Sequence, residues 1–271
     1  MRLFNLYSGL FVVAVLVFIG LFAPWLAPHD PITFADLNNS GLPPGADFLL
    51  GTDEQGRDLL SRIFYGARVS LIVGLVVQSM NTFVGVTLGM TAGYYGGWWD
   101  EVVQGLTNLM LSIPTIVFAL ALMTILGPGL LSLFIALGLT DWAYSCRVSR
   151  AQVLSQKSEN YVQAATTIGY STGHVIFREI LPNIAGPLVV IATMGVGSAI
   201  LAEASLSFIG LGVVPPDPSW GGMLARAREQ MMVAPWIAMW PGLALFVTVL
   251  GFNLLGDGLR DLLDPQGRAD R

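Results

Sequence analysis

Charge is scarce in this chain. Only 11% of its 271 residues are Asp, Glu, Lys or Arg, against about 25% in ordinary soluble domains. Its one lysine, Lys157, follows Gln156. The chain therefore has no G-x-x-x-x-G-K-[ST] loop to cradle nucleotide phosphates, which excludes ATP hydrolysis by this chain alone. A single cysteine, Cys146, excludes an internal disulfide and a cysteine-cluster metal site. The two histidines, His29 and His174, lie far apart and lack the i, i+4 spacing of a zinc-binding helix. No acid pair or nucleophile with its base stands out, so the sequence predicts neither a catalytic residue nor a metal ligand set. No basic run is present to hold a phosphate backbone, which argues against nucleic acid as a partner.

What the chain has instead is apolar length. Hydrophobic residues make up 54% of it, and the mean hydropathy is +0.67. They cluster in blocks long enough for a hydrocarbon core of about 30 Å, which takes roughly 20 helical residues. A β-barrel would show short alternating segments. The expected class is all-α, a polytopic membrane protein with six transmembrane helices at about 8–27, 69–93, 102–126, 129–146, 184–205 and 236–256. The first block resembles a signal peptide in following Arg2. It is long for one, and Pro24 and Trp25 occupy the place of a small-residue cleavage site, so an uncleaved first helix is expected. Gly127-Pro128-Gly129 makes a tight turn between spans three and four. The chain divides near residue 68. Residues 1–68 hold the first span, a loop and a surface helix; residues 69–271 hold a five-span core with a polar loop at about 147–183.

Six spans place both termini on one side, and the positive-inside rule selects the cytoplasm. Arg2, Arg147, Arg150, Lys157, Arg178, Arg260, Arg268 and Arg271 then lie inside; Arg57, Arg62, Arg68, Arg226 and Arg228 lie outside. The outer loop at about 28–68 begins as irregular chain. It ends with Asp53, Glu54, Arg57, Asp58 and Arg62 at i, i+3 and i, i+4 spacing beside Leu59, Leu60, Ile63 and Phe64. That pattern predicts an amphipathic helix on the membrane surface with a solvated charged face. A second outer segment, about 206–235, carries Pro215, Pro216 and Pro218, then Trp220 and a polar helical stretch. It caps a pathway, meets an external partner, or simply packs with Trp220 as an interfacial anchor.

Within the spans, Gly85, Gly89 and Gly93 form a ridge that admits close helix approach. Pro114 and Pro241 are expected to kink spans three and six. Gln78, Asn81, Asn108 and Asn253 are amides that line an aqueous path or bond between helices. Asp141 and Glu203 are intramembrane acids near opposite interfaces, and Asp141 is within sequence reach of Arg147. Pathway or gate candidates are Gln78, Asn81, Asn108, Glu203 and Asn253.

The inner loop is the most informative segment. Ser158 is placed to cap a short helix carrying Tyr161, Ala164, Ala165 and Ile168, with Tyr161, Ala165 and Ile168 on one face. Gly169 suits the left-handed position that ends it. Ser171 or Thr172 starts a second helix with Val175, Ile176 and Ile180 along its apolar side, and Pro182 closes the unit. Helices this short need a surface to dock on. That surface is either a partner or the chain's own bundle.

Gln163-Ala164-Ala165, three residues, Gly169, nine residues, then Glu179-Ile180-Leu181-Pro182 resembles the EAA loop of ABC importer permeases. The stretches Leu50–Asp58, Leu201–Gly212 and Gly256–Asp261 through Asp264-Pro265 are similar to the dipeptide, oligopeptide and nickel branch. Gln163 replaces that loop's first Glu, and Glu179 stands where this branch often carries His. The resemblance implies the ABC importer permease fold, in a bacterial-type cytoplasmic (inner) membrane. It implies that Tyr161, Gln163, Ala164, Ala165, Ile168, Gly169 and Pro182 form the coupling element gripped by an ATPase. The implied partners are a homologous second permease, two ATPase subunits that bind ATP and magnesium, and an extracytoplasmic solute-binding protein. This chain would bind no cofactor itself. The implied cargo is a di- or oligopeptide, with nickel or another small solute as the alternative. An ATP-independent secondary transporter is the rival reading.

Overall fold

The computed structural model describes residues 2–33 and 35–263. The expectations on Asp264-Pro265, Arg268 and Arg271 lie outside the described residues. Those described form helices and loops, with one isolated antiparallel bridge, Thr52 to Asp58.

Four helices are long and apolar enough to cross a bilayer unbroken. They are α1 (Arg2–Leu26), α2 (Leu59–Tyr95), the helix Thr172–Phe208, and a last one at Trp236–Leu263. The third predicted span is broken in the middle: α3 (Gly97–Ser112) and α4 (Thr115–Leu126) meet at 88°, so the pair crosses the bilayer only as a bent span. Pro114, with no N–H to offer the preceding turn, breaks the ladder as expected. The fourth predicted span is split further. It consists of α5 (Leu130–Gly138) and α6 (Trp142–Lys157), and α6 runs on well beyond Cys146. Neither piece is a span by its own length, so the count of six continuous helices becomes four unbroken spans and one bent pair.

Then come α7 (Asn160–Ile168), the single turn α8 (Thr172–His174), a wider π-type turn at Val175–Ile180, and α9 (Leu181–Phe208). Two more helices, α10 (Trp220–Ala227) and α11 (Trp236–Leu263), complete the chain. The α7–α8 hairpin marks one end of the molecule; loops 27–58 and 209–235 form a cap at the other.

The cap corrects the sequence reading. No separate surface helix forms over 53–64. Asp58 caps α2 by accepting from Ser61 N–H at 2.9 Å, and α2 then runs 37 residues without a break, through position 68. Asp53 to Asp58 sit in an irregular turn shaped by Gly51 (φ 83°) and Gly56 (φ 75°). A Cβ on Gly56 would meet the Asp36 carbonyl, so the turn closes onto the loop rather than lying on a surface. The expected pair Asp53–Arg57 forms at 2.8 Å, and Arg57–Glu54 at 3.5 Å. The face is not solvated: Asp53, Arg57, Asp58 and Arg62 are all buried. Arg62 reaches Asp53 and the Pro31 carbonyl, and Arg226 on α10 reaches Glu54 at 3.1 Å. Buried ions persist only when paired in this way. Trp220 is likewise no interfacial anchor. It is fully buried, its Nε1 donates to the Ile63 carbonyl at 3.1 Å, and it fills the space that Gly66 leaves.

Close packing through glycine sets the frame. Gly85, Gly89 and Gly93 of α2 face Trp142, Ser145, Cys146, Ser149, Arg150 and Val153 of α6, and Ser149 Oγ donates to the Gly85 carbonyl at 3.3 Å. In lipid, where hydrophobic drive between helices is absent, such contact gains van der Waals energy and lets hydroxyls bridge backbones. A methyl group at Gly89 would collide with Ser149 Oγ and the Cys146 carbonyl, whereas Gly105 faces open space. Gly89→Ala should therefore destabilise the protein by about 1–3 kcal/mol through overpacking. Gly105→Ala should leave stability equal or slightly higher, because alanine favours the helix. Thermal unfolding of the detergent-solubilised protein compares the two.

Candidate functional site

The α7–α8 hairpin is assembled by local rules. Glu159, in extended conformation, precedes α7, not Ser158, whose hydroxyl turns back to the Ser155 carbonyl at 3.1 Å. The expected Ser158 cap therefore does not form. Gly169 adopts φ 93°, the left-handed position expected of it. The Tyr170 N–H then reaches the Ala165 carbonyl at 3.2 Å and the Gly169 N–H the Thr166 carbonyl at 3.1 Å, the paired closure of a Schellman turn. Ser171 accepts from His174 N–H at 3.4 Å and starts the second helix. Tyr170 stacks on His174 at 4.2 Å between centroids, and His174 Nε2 lies 3.5 Å from Glu179 Oε1.

Two residues of α7, Val162 and Ala165, are buried with Val153, Val175, Ile176, Ile180 and Ile184. The apolar side predicted for the second helix is thus confirmed. The face predicted for α7 is partly corrected: Tyr161 is half-buried, and Ile168 is 73% exposed. Gly169 ends the helix one residue later, so Ile168 sits beyond the last turn that contacts the bundle. Tyr161 donates to Gln156 Oε1 at 2.6 Å. Burial, then the Glu159 and Glu179 carboxylates, push its phenol above the ordinary value, which keeps it a donor.

Pro182 does not close the unit. The helix widens at Val175–Ile180, where Leu181 N–H bonds five residues back to the Ile176 carbonyl, and continues through Pro182 into α9. A wide turn spares the N–H that proline lacks. Asn183 Nδ2 takes the Glu179 carbonyl at 2.7 Å. Outward, the hairpin shows Gln163, Ala164, Ile168, Gly169, Tyr170 and Phe177. Tyr170 and Phe177 were not anticipated, although Phe177 falls off the Val175, Ile176, Ile180 stripe and was legible on that ground. The base of the hairpin is braced. Arg150 on α6 forms two 2.6 Å bonds with Asp100 on α3, and Lys157 Nζ donates to the Tyr94 carbonyl at 2.6 Å.

The five pathway candidates do not converge. Gln78 Nε2 bonds Thr82 Oγ1 on its own helix at 3.0 Å, and Gly195 of α9 abuts it. Asn81 Nδ2 ties α2 to the Leu137 carbonyl at 3.3 Å. Asn108 accepts from Arg147 at 2.9 Å on an exposed surface, and among the described residues Arg147 pairs with no acid. Glu203 is fully enclosed and bonds Ser207 at 2.6 Å; Asn253 is half-buried on α11. None of them lines the apolar groove of about 640 Å³ between α2 and α9, walled by Phe83, Val86, Met90, Phe177, Leu181 and Leu188.

Comparison with known proteins fits this geometry. Residues 85–268 match the family model described as the binding-protein-dependent transport system inner membrane component. This chain belongs to that family. Residues 7–44 match the N-terminal transmembrane domain of oligopeptide transport permease C. The dipeptide transport system permease protein DppC of Alkalihalophilus pseudofirmus is 42% identical over 96% of this chain and 86% of its own length. The di/tripeptide transport system permease protein DppC of Pseudomonas aeruginosa is 44% identical over 96% and 87%. The glutathione transport system permease protein GsiD of Escherichia coli is 40% identical over 96% and 85%. The chain is therefore a multi-pass inner-membrane permease subunit of an ABC importer rather than an enzyme, and it works with ATPase and binding-protein partners.

The hairpin geometry makes Gly169 the residue least open to change. Gly169→Ala should lower stability by about 1 kcal/mol, since a Cβ is strained at that φ, while Gly169→Asn should lose less. Thermal unfolding of the solubilised protein ranks the three.

Proposed function

We propose that this chain is one of two homologous permease subunits of an importer for di- or oligopeptides, powered by two ATPase subunits that bind ATP and magnesium. The outward face of α7 supports this reading most directly: Ala164, Ile168 and Gly169, small or apolar, are exposed beside the polar Gln163, on a hairpin whose other face is anchored in the bundle. Ala164 lets a partner backbone come close, and the exposed Ile168 offers an apolar contact.

The hairpin faces the cytoplasm, and so do both termini. Arg147, Arg150, Lys157, Arg178 and Arg260 lie towards that end, whereas the cap's Arg57 and Arg62 are buried against Asp53 and the half-buried Arg226 pairs with Glu54. The cap faces the extracytoplasmic binding protein that delivers the solute. ATP closes the ATPase pair, the hairpin follows its cleft, and the helices switch between outward and inward openings. Such a switch requires that solute and nucleotide favour different states. Relatives that carry dipeptides, di/tripeptides and glutathione support peptide cargo over nickel.

Proteoliposomes holding the full complex should take up a labelled tripeptide only with ATP and the binding protein. Ile168→Asp should reduce uptake about tenfold or more, as loss of an interface anchor does, while the variant permease stays folded and inserted. Ala165→Asp is the blunter probe, because Ala165 faces inward and a charge there also disturbs the hairpin. Uptake without nucleotide would favour a secondary transporter. Uptake of nickel but not peptide would move the cargo assignment.

A further inference from the structure

Glu203 is the one acid buried deep among the long helices that pairs with no cation among the described residues. Its hydrogen-bond partners are hydroxyls from two helices. Ser207, one turn on in α9, donates to Oε1 at 2.6 Å, and Ser70 of α2 donates to Oε2 at 3.5 Å. Ser219 caps α10 by accepting from Gly222 N–H at 3.1 Å, and it sets that helix against the same part of α9, where Gly221 meets the Ala204 backbone. All three serines are buried.

Glycines let the helices pack closely here. A Cβ on Gly74 of α2 would run into Ile200 of α9, one on Gly221 of α10 into the Ala204 backbone, and one on Gly66 into Trp220. A glycine thus serves each of the three pairings among α2, α9 and α10, and Glu203 sits at their common junction. Side chains this enclosed do not line an open path. Buried as they are, the Ser70 and Ser207 hydroxyls both donate to the carboxyl, and losing it would leave two buried donors to re-pair.

Position along the chain gives the junction its meaning. Glu203 lies on the same unbroken helix as the exposed hairpin, 29 residues beyond His174, which is about 44 Å at helical rise. We propose that Glu203, with Ser70 and Ser207, is a latch at the cap end of this helix. It holds α2 and α9 together, with α10 packed against them, in one state and yields when the hairpin is pulled. Glu203 is then a positioning residue for the gate, not a solute ligand. This inference rests on the importer reading above. It adds that the cap end and the hairpin end are energetically linked through α9.

Linkage makes the idea testable without knowing the solute. If the latch opposes the state reached with ATP, weakening it should release ATP hydrolysis from its need for the binding protein. In the reconstituted complex without binding protein, Glu203→Ala should raise ATP turnover about fivefold or more. Glu203→Gln, which keeps one acceptor oxygen, should raise it less. Ser70→Ala removes one donor and little volume, so it carries the test if Glu203→Ala fails to assemble. Uptake per ATP hydrolysed should fall in the same order. Basal turnover equal to wild type in assembled variants, or turnover and uptake falling together in proportion to assembled complex, overturns the latch. A wild-type complex with no ATP-dependent uptake at all would instead overturn the importer reading.

Discussion

The helix from Thr172 to Phe208 is the constraint on which the rest of the structure depends. It leaves the exposed hairpin, widens at Val175–Ile180, passes Pro182 and Pro187, and reaches the cap without a break. A displacement at the hairpin cannot be absorbed by a flexible linker on this side, because none exists between α8 and Glu203. The wide turn is the one place where the ladder departs from α geometry, and such turns gather at functional sites. In the proposed importer this helix is the mechanical connection between the ATPase contact and the opposite face.

Everything around that helix is held by small residues. Glycines of α2 meet α6, α9 and α10, while Gly9, Gly251 and Gly258 bring α1 against α11. Packing of this kind is sensitive to a single methylene and therefore favours discrete arrangements over gradual deformation. The cap has a different character. It is a knot of ion pairs in which Asp53 serves the buried Arg57 and Arg62, and Glu54 serves the half-buried Arg226. Removing one partner there would leave an uncompensated buried charge, so the loop is a rigid lid rather than a tether.

Much of this was legible in the sequence. The four longest apolar blocks, the turn at Gly127–Gly129, the break at Pro114, the left-handed Gly169 and the glycine ridge of α2 each follow from local chemistry, and each is where it was expected, whereas the block at 129–146 is split between α5 and α6. The errors share a cause. Charges at helical spacing over 53–62 suggested a solvated helix, but spacing does not reveal that two loops fold over them and bury the pairs. Trp220 looked like an interfacial anchor because its pocket is made by Gly66, 154 residues earlier. Pro182 looked like a terminator because a widened turn leaves no mark in composition. Within the hairpin, the residues that touch the bundle were partly misassigned: Val162 takes the inward place given to Ile168.

A distance measurement addresses the central claim directly. Spin labels at Phe177 and Phe208, both exposed on the same continuous helix, should report about 46 Å at helical rise. The account predicts that this distance holds, within about 2 Å, between the nucleotide-free and ATP-trapped complexes, while the distance from Phe177 to a label on exposed Phe4 of α1 changes. A Phe177–Phe208 distance that shortens or broadens on trapping ATP would show that the helix bends or melts, and would contradict it.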